Sequence, residues 1–143
     1  MISGISFHAD ATDGVSRRLG VRIEIDGPFL GNIFELRFPR WIPGSYLIRE
    51  PMQHLSELAA TCDGKEILVK RIDVDGVRIK GVSDASKLVI TYKVLAAEMT
   101  CRANHLDTTH VHIMPPYTWM LPTRGIDSDR RNKTHRVTLA KPQ

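Results

Sequence analysis

The chain has 143 residues, 42% of them hydrophobic and 25% charged, which is the size and composition of a single soluble globular domain. No apolar run approaches the roughly 18 residues of a membrane-spanning helix, and the N-terminus lacks the basic and apolar regions of a signal peptide. The net charge of +4 comes wholly from residues 124–143, which carry six basic and two acidic side chains and no aromatic residue. We therefore expect no nucleic-acid-binding face and no membrane partner.

Segments that alternate apolar with polar residues recur along the chain, with the period of two that is typical of half-buried strands. Such segments cover residues 19–25, 33–38 and 88–95, and the last is the longest. Asp63-Gly64 and Asp75-Gly76 each have the composition of a type I′ hairpin turn. The first turn would join strands at 58–62 and 65–69, and the second would join strands at 70–74 and 77–80. Shorter strand-like pieces follow near 99–104, 110–114, 117–121 and 135–139.

The secondary-structure pattern favours strands throughout. No stretch of helical length shows a period of 3.6, and Pro51 limits any helix near residues 49–58 to one or two turns. We predict one all-β domain covering residues 1–143, a β-sandwich or saddle of about nine to eleven short strands. Its predicted core is Leu19, Val21, Ile23, Phe34, Leu36, Phe38, Trp41, Leu88, Ile90, Tyr92 and Val94.

Residues 40–51, Arg-Trp-Ile-Pro-Gly-Ser-Tyr-Leu-Ile-Arg-Glu-Pro, have an unusual composition for a surface loop. Pro43-Gly44 fits the centre of a type II turn, in which glycine supplies the positive φ. The large apolar side chains around this turn either close the end of a β core or form a binding loop with Arg49 as its polar tip. The candidate residues are Trp41, Pro43, Gly44, Ser45, Tyr46, Arg49 and Glu50.

This segment resembles the Trp-x-Pro-Gly-Ser-Tyr-x-x-Arg-Glu signature in the N-terminal domain of the glycyl aminopeptidase family, gluzincin-type zinc metallopeptidases that often also carry a PDZ domain. Residues 94–110 are similar to a second block of that family, in which a strand is followed by His-Leu-Asp-x-x-His. The chain departs from that block at Leu95 and Cys101. It also lacks the Asn-Gly loop that commonly follows His110.

The resemblance implies a non-catalytic N-terminal domain that packs on the catalytic domain of the same enzyme and helps to line its substrate cleft. The candidate residues of the 40–51 segment would then face the cleft or the domain junction, and the enzyme's substrate would be a peptide. Zinc would be held in the catalytic domain, with no cofactor in this one. The chain has no His-Glu-x-x-His motif, so we expect no catalytic residue and no hydrolysis from it alone.

Two alternatives remain open. The chain could be a free-standing β-sandwich that binds a ligand through the Trp41–Arg49 loop. It could also bind a metal through a cluster of three histidines and one aspartate, although this spacing fits hydrogen-bonding loop residues as well. The residues of that cluster are His105, Asp107, His110 and His112.

Two further expectations concern the state of the isolated domain. An apolar patch meant for a missing neighbour could make it dimerise. Cys62 and Cys101 show no Cys-x-x-Cys pattern; they could form one disulfide, which their spacing alone does not establish, and a buried free thiol is favoured at Cys101. The cytoplasm is slightly favoured, and the periplasm stays open.

Overall fold

The computed structural model describes residues 2–39, 55–72, 75–96, 104–106, 111–113, 118–126 and 134–140, and these contain twelve strands. No helix in these ranges is long and apolar enough to cross a bilayer. The strands are β1 (Ile2–Asp10), β2 (Arg18–Asp26), β3 (Ile33–Arg37), β4 (Leu55–Cys62), β5 (Lys65–Ile67), β6 (Val69–Arg71), β7 (Gly76–Lys80), β8 (Lys87–Leu95), β9 (His105–Leu106), β10 (Val111–His112), β11 (Leu121–Arg124) and β12 (Thr134–Ala140).

Six strands form a large sheet in the order β12-β1-β2-β8-β4-β5. Its centre is the antiparallel pair β2 and β8, which stays in register without interruption from Arg18 opposite Leu95 to Asp26 opposite Lys87. Both strands alternate buried and exposed positions, so the sheet has one apolar and one polar face. At its edge β12 runs parallel to β1, a pairing between the two ends of the described chain.

Four strands form a small sheet in the order β11-β3-β7-β6, and β9 pairs with β10 separately. The buried side chains of the two larger sheets belong to one hydrophobic cluster. Phe38, directly after β3, packs edge-on against Tyr92 of β8 with ring centroids 6.1 Å apart. The predicted all-β sandwich is therefore confirmed.

The predicted core is buried wherever the structure describes it, and only Trp41 of that set lies outside the described residues. The structure adds a strand that we did not predict. In β1, Ile5, Phe7 and Ala9 alternate with polar residues and face the core, so the period-two signal was present there.

One predicted turn is confirmed and the other is wrong. Asp63 and Gly64 have φ values of 52° and 84°, as a type I′ turn requires, and the turn joins β4 to β5. Gly76, by contrast, is the first residue of β7 and has no positive φ. The hairpin between β6 and β7 exists, but Gly76 is paired within it: its carbonyl oxygen accepts from the backbone N–H of Ile72 at 3.0 Å. The short helix that the sequence allowed near 49–58 does not include residues 55–58, which belong to β4.

A buried hydroxyl group connects the two larger sheets. Tyr92 is 2% exposed, and its hydroxyl donates to the carbonyl oxygen of Thr118 at 2.5 Å while accepting from the backbone N–H of Met120 at 3.3 Å. Burial raises the pKa of Tyr92 far above its ordinary value, with a smaller opposing effect from the Met120 hydrogen bond. The hydroxyl therefore stays protonated and holds the chain that enters β11 against β8.

We predict that Ile90→Ala lowers the free energy of unfolding by about 2–5 kcal/mol, because Ile90 is fully buried at the centre of the sandwich. Thr91→Ala is the matched control, since Thr91 is its neighbour in β8 on the exposed face. Urea unfolding measures both variants. Equal stability of the two would contradict the assigned faces of β8.

We predict that Tyr92→Phe costs about 1–3 kcal/mol at neutral pH, because it leaves the Thr118 carbonyl buried without this donor. The pKa of Tyr92 is higher in the folded than in the unfolded chain. Its contribution to the free energy of unfolding is therefore complete below the unfolded pKa of about 10 and diminishes as the pH rises further. Urea unfolding of both proteins, at neutral pH and above pH ~10, should show the gap narrowing. A variant as stable as the wild type at neutral pH would rule out the role of this hydroxyl.

Candidate functional site

The 40–51 segment lies outside the described residues, and so do all its candidates: Trp41, Pro43, Gly44, Ser45, Tyr46, Arg49 and Glu50. Their roles stay predictions. The structure does describe the residues on either side of them. The chain leaves the small sheet after β3 and returns in β4 of the large sheet, so residues 40–54 connect the two sheets.

An ion pair fixes the point where the chain leaves β3. Nη1 of Arg37 lies 2.8 Å from Oδ1 of Asp75, whose side chain is only 6% exposed. The carbonyl oxygen of Asp75 also accepts from the backbone N–H of Phe38 at 2.9 Å. A Cβ at Gly76 would lie 3.0 Å from Nη1 of Arg37 and 3.1 Å from the side chain of Ile72, so glycine leaves room for this guanidinium.

The point of return at β4 is also fixed. Leu55 is buried and lies opposite Val94 of β8. Its carbonyl oxygen accepts from Nη2 of Arg71, in the small sheet, at 3.0 Å. A β-bulge between Ser56 and Ala59 follows, with Glu57 at a φ of 54°. Both ends of the connecting segment therefore start from buried, hydrogen-bonded positions near the same strand, β8.

A row of charged side chains crosses the outer face of the small sheet next to this connection. Backbone register places Lys70, Arg78, Glu35 and Arg124 side by side on four consecutive strands, and we call these four residues the charged row. Oε1 of Glu35 lies 2.7 Å from Nη2 of Arg78 and 3.8 Å from Nη1 of Arg124. Glu35 is buried, while the two arginines keep 38% and 56% of their side chains exposed.

In the sequence, the excess positive charge lies in residues 124–143. The charged row shows that the fold combines part of this charge with cations from other parts of the chain. The fold places Arg124 of that region on one side of Glu35 and Arg78, from near the middle of the chain, on the other side. The row holds three cations and one buried carboxylate, which pairs with two of them, so the row is net positive and suits an acidic partner surface. Charged residues at alternate positions of β3 and β7 were the sequence signal for the charged row. Which of them become neighbours across the sheet depends on the strand register, which the sequence does not show.

The proposed histidine cluster is only partly described. His105 of β9 and His112 of β10 are register partners, which brings their backbones directly opposite each other. Asp107 and His110 lie outside the described residues. Within the ranges that are described, no group of three or more His, Cys, Asp or Glu residues could hold a metal ion. The metal-binding alternative stays a prediction.

The cysteines add no reactive centre to the described structure. Cys62 is a free, half-buried thiol, and burial raises its pKa, with a further contribution from the carboxylate of Asp63. A thiol with a raised pKa is a poor nucleophile at neutral pH. Cys101 lies outside the described residues.

Comparison with known proteins places this geometry in a family context. The family model of the Peptidase M61 N-terminal domain matches residues 6–143. No curated protein sequence matches the chain. Among solved structures, an aminopeptidase N family protein from Idiomarina loihiensis has a TM-score of 0.79 and 21% identity, over 95% of this chain and 22% of that one. An M1 zinc metallopeptidase from Deinococcus radiodurans, solved as a mutant with a Tyr-Ser-Ala substrate, has a TM-score of 0.44 and 12% identity, over 94% and 30% of the two chains.

The Idiomarina structure shares the fold of this domain, and the chain spans only about a fifth of that protein's length, 22%. The Deinococcus structure is too distant to support an argument. The match of the family model covers almost the whole chain, including both sequence blocks that carry the resemblance to glycyl aminopeptidases. The chain therefore belongs to the Peptidase M61 N-terminal domain family.

Proposed function

We propose that this chain is the N-terminal domain of a zinc-dependent metallo-aminopeptidase. It would pack on the catalytic domain of that enzyme, and its 40–51 segment would line part of the substrate cleft. The observation that carries the proposal is the match of the Peptidase M61 N-terminal domain model to residues 6–143. The fold shared with part of an aminopeptidase N family protein supports it.

The anchoring of the connecting segment is consistent with a role in a cleft. Residues that contact a substrate work best on a rigid frame that fixes their geometry. Here the frame is the Arg37–Asp75 ion pair at the start of the segment and the Arg71–Leu55 hydrogen bond at its end. Arg49 would present a guanidinium that can bind a peptide carboxylate in two parallel hydrogen bonds.

The charged row lies on the same small sheet and offers a surface for packing. Its exposed guanidinium groups, Arg78 and Arg124, would face acidic side chains of the catalytic domain. Because Glu35 already neutralises part of this charge, the interface would not bury three unpaired cations.

Zinc would belong to the catalytic domain, because the full sequence of this chain has no His-Glu-x-x-His motif. A zinc ion there would supply an activated water molecule and polarise the peptide carbonyl group. The task of this domain would be to position the peptide and to exclude water around it.

We predict that the full-length product of the encoding gene binds about one zinc ion and hydrolyses peptides from the amino end, because the hydrolytic residues would follow this domain. The chain of residues 1–143 alone should have no activity. Elemental analysis and an assay with short glycyl peptides test both points. A gene that stops near Gln143 would contradict the proposal and favour the free-standing binding module.

We predict that Arg49→Ala in the full-length enzyme lowers kcat/KM by about tenfold or more, since one charge-assisted contact to the substrate is lost. Arg136→Ala is the matched control, because Arg136 is exposed on β12. Thermal unfolding distinguishes a substrate-binding role of Arg49 from a purely structural one. Unchanged turnover with a lowered Tm would show that it only supports the loop.

A further inference from the structure

The polar face of the large sheet contains an open groove that the proposed function does not use. The groove has a volume of about 440 Å³, and polar side chains of four strands line it. These side chains are His8 and Asp10 of β1, Arg22 of β2, Thr91 and Lys93 of β8, and Glu57 of β4.

Gly20 forms the floor of the groove between Asp10 and Lys93, its register partners on the two neighbouring strands. A glycine inside a strand usually marks a bulge or a close approach. Neither holds here, because β2 pairs without interruption and Gly20 has no positive φ. A Cβ at this position would meet its nearest atom, Cβ of Asp10, at an ordinary 3.4 Å. The glycine is thus not needed by the backbone, and its effect is to leave the groove open.

Two opposite charges over this floor are incompletely paired. Oδ1 of Asp10 accepts from the N–H and the hydroxyl of Thr12, at 3.0 and 2.6 Å, and no described residue donates to Oδ2. Arg22 has Glu24 as its ion-pair partner among the described residues, at a long 3.8 Å, and 49% of its side chain is exposed. The carboxylate stays ionised at neutral pH, because the Thr12 hydrogen bonds hold the pKa of Asp10 below its usual value.

The remaining charges of the groove neutralise each other. Nζ of Lys93 lies 3.2 Å from Oε2 of Glu57, which closes the side of the groove formed by β8 and β4. The groove therefore has no net charge to attract a simple ion. It presents instead one negative pole, Asp10, and one positive pole, Arg22.

The backbone positions of these two charged residues set the scale of a ligand. Asp10 lies opposite Gly20 and His8 lies opposite Arg22, so Asp10 and Arg22 are diagonal neighbours, with Cα atoms about 7–8 Å apart in such a pair. The terminal groups of an extended dipeptide are separated by about 7 Å. We propose that this groove binds a small zwitterion of dipeptide size, with its ammonium group on Asp10, its carboxylate on Arg22 and its backbone above Gly20. The inference stands independently of attachment to a peptidase.

The test is a titration of the ¹⁵N-labelled chain with glycylglycine, followed by amide chemical shifts. We expect shifts concentrated at Gly20, Arg22, Thr91 and Lys93, with a Kd in the millimolar range that two exposed charge-assisted contacts allow. N-acetylglycine lacks the ammonium group and glycinamide lacks the carboxylate. Each should bind about tenfold more weakly, the loss of one charged contact.

Three variants and two controls sharpen the test. Asp10→Asn and Arg22→Gln should each weaken glycylglycine binding about tenfold, and Gly20→Leu should abolish it by filling the floor. Gly20→Ala shows from its own spectrum whether a side chain is tolerated in β2. Lys87→Gln is the matched control, because Lys87 is also exposed on β8 but does not line the groove, and it should bind normally.

Three results would overturn the proposal. The first is an absence of shifts in the groove with glycylglycine. The second is equal binding of N-acetylglycine, which would make this an anion site at Arg22 alone. The third is undiminished binding to a folded Gly20→Leu variant, which would place the ligand elsewhere.

Discussion

The buried hydroxyl group of Tyr92 connects the central strand of the large sheet to the chain that enters the small sheet. It donates to a buried carbonyl group at Thr118 and accepts from a buried N–H at Met120. Phe38 packs on the ring of the same tyrosine, so the end of β3 is held by the same side chain. One residue thus sets the positions of β11 and β3, the strands that carry the charged row and the start of the connecting segment.

The proposed role of the connecting segment follows from how the two sheets are joined. The Arg37–Asp75 ion pair, in which Asp75 is nearly buried, lies where the segment leaves the small sheet. The hydrogen bond from Arg71 to the Leu55 carbonyl lies where the chain enters the large sheet. Breaking a buried pair costs more than a surface pair, because the remaining charge loses its partner in a poorly solvated place. The described residues on both sides of the connecting segment therefore form a fixed frame, which is consistent with the proposal that this segment contacts a neighbouring domain.

Local patterns predicted the parts of this fold that depend on local chemistry. Strands β2, β3 and β8 followed from alternation, and Asp63-Gly64 formed the expected turn, which is compatible with the hydrogen bonds that the Asp63 carboxylate accepts from the backbone N–H groups of Ser86 and Lys87. Asp75-Gly76 has the same composition, but Arg37 binds Asp75 and occupies the space beside Gly76, so tertiary contacts overrode the turn preference. The parallel pairing of β1 with β12 and the charged row depend on register between distant segments, which no local pattern specifies.

The candidate site was predicted by resemblance, and the groove at Gly20 was not. A single glycine in an alternating strand does not indicate a groove unless the residues beside it on the two neighbouring strands are also known. The same holds for Glu35, whose burial between arginines appears only in the folded sheet.

Hydrogen–deuterium exchange of the full-length enzyme, with and without a bound peptide inhibitor, tests whether residues 40–51 line the substrate cleft. We expect these residues to become protected when the inhibitor binds, because the segment would line the occupied cleft. Protection confined to the catalytic domain, with unchanged exchange in residues 40–51, would contradict it.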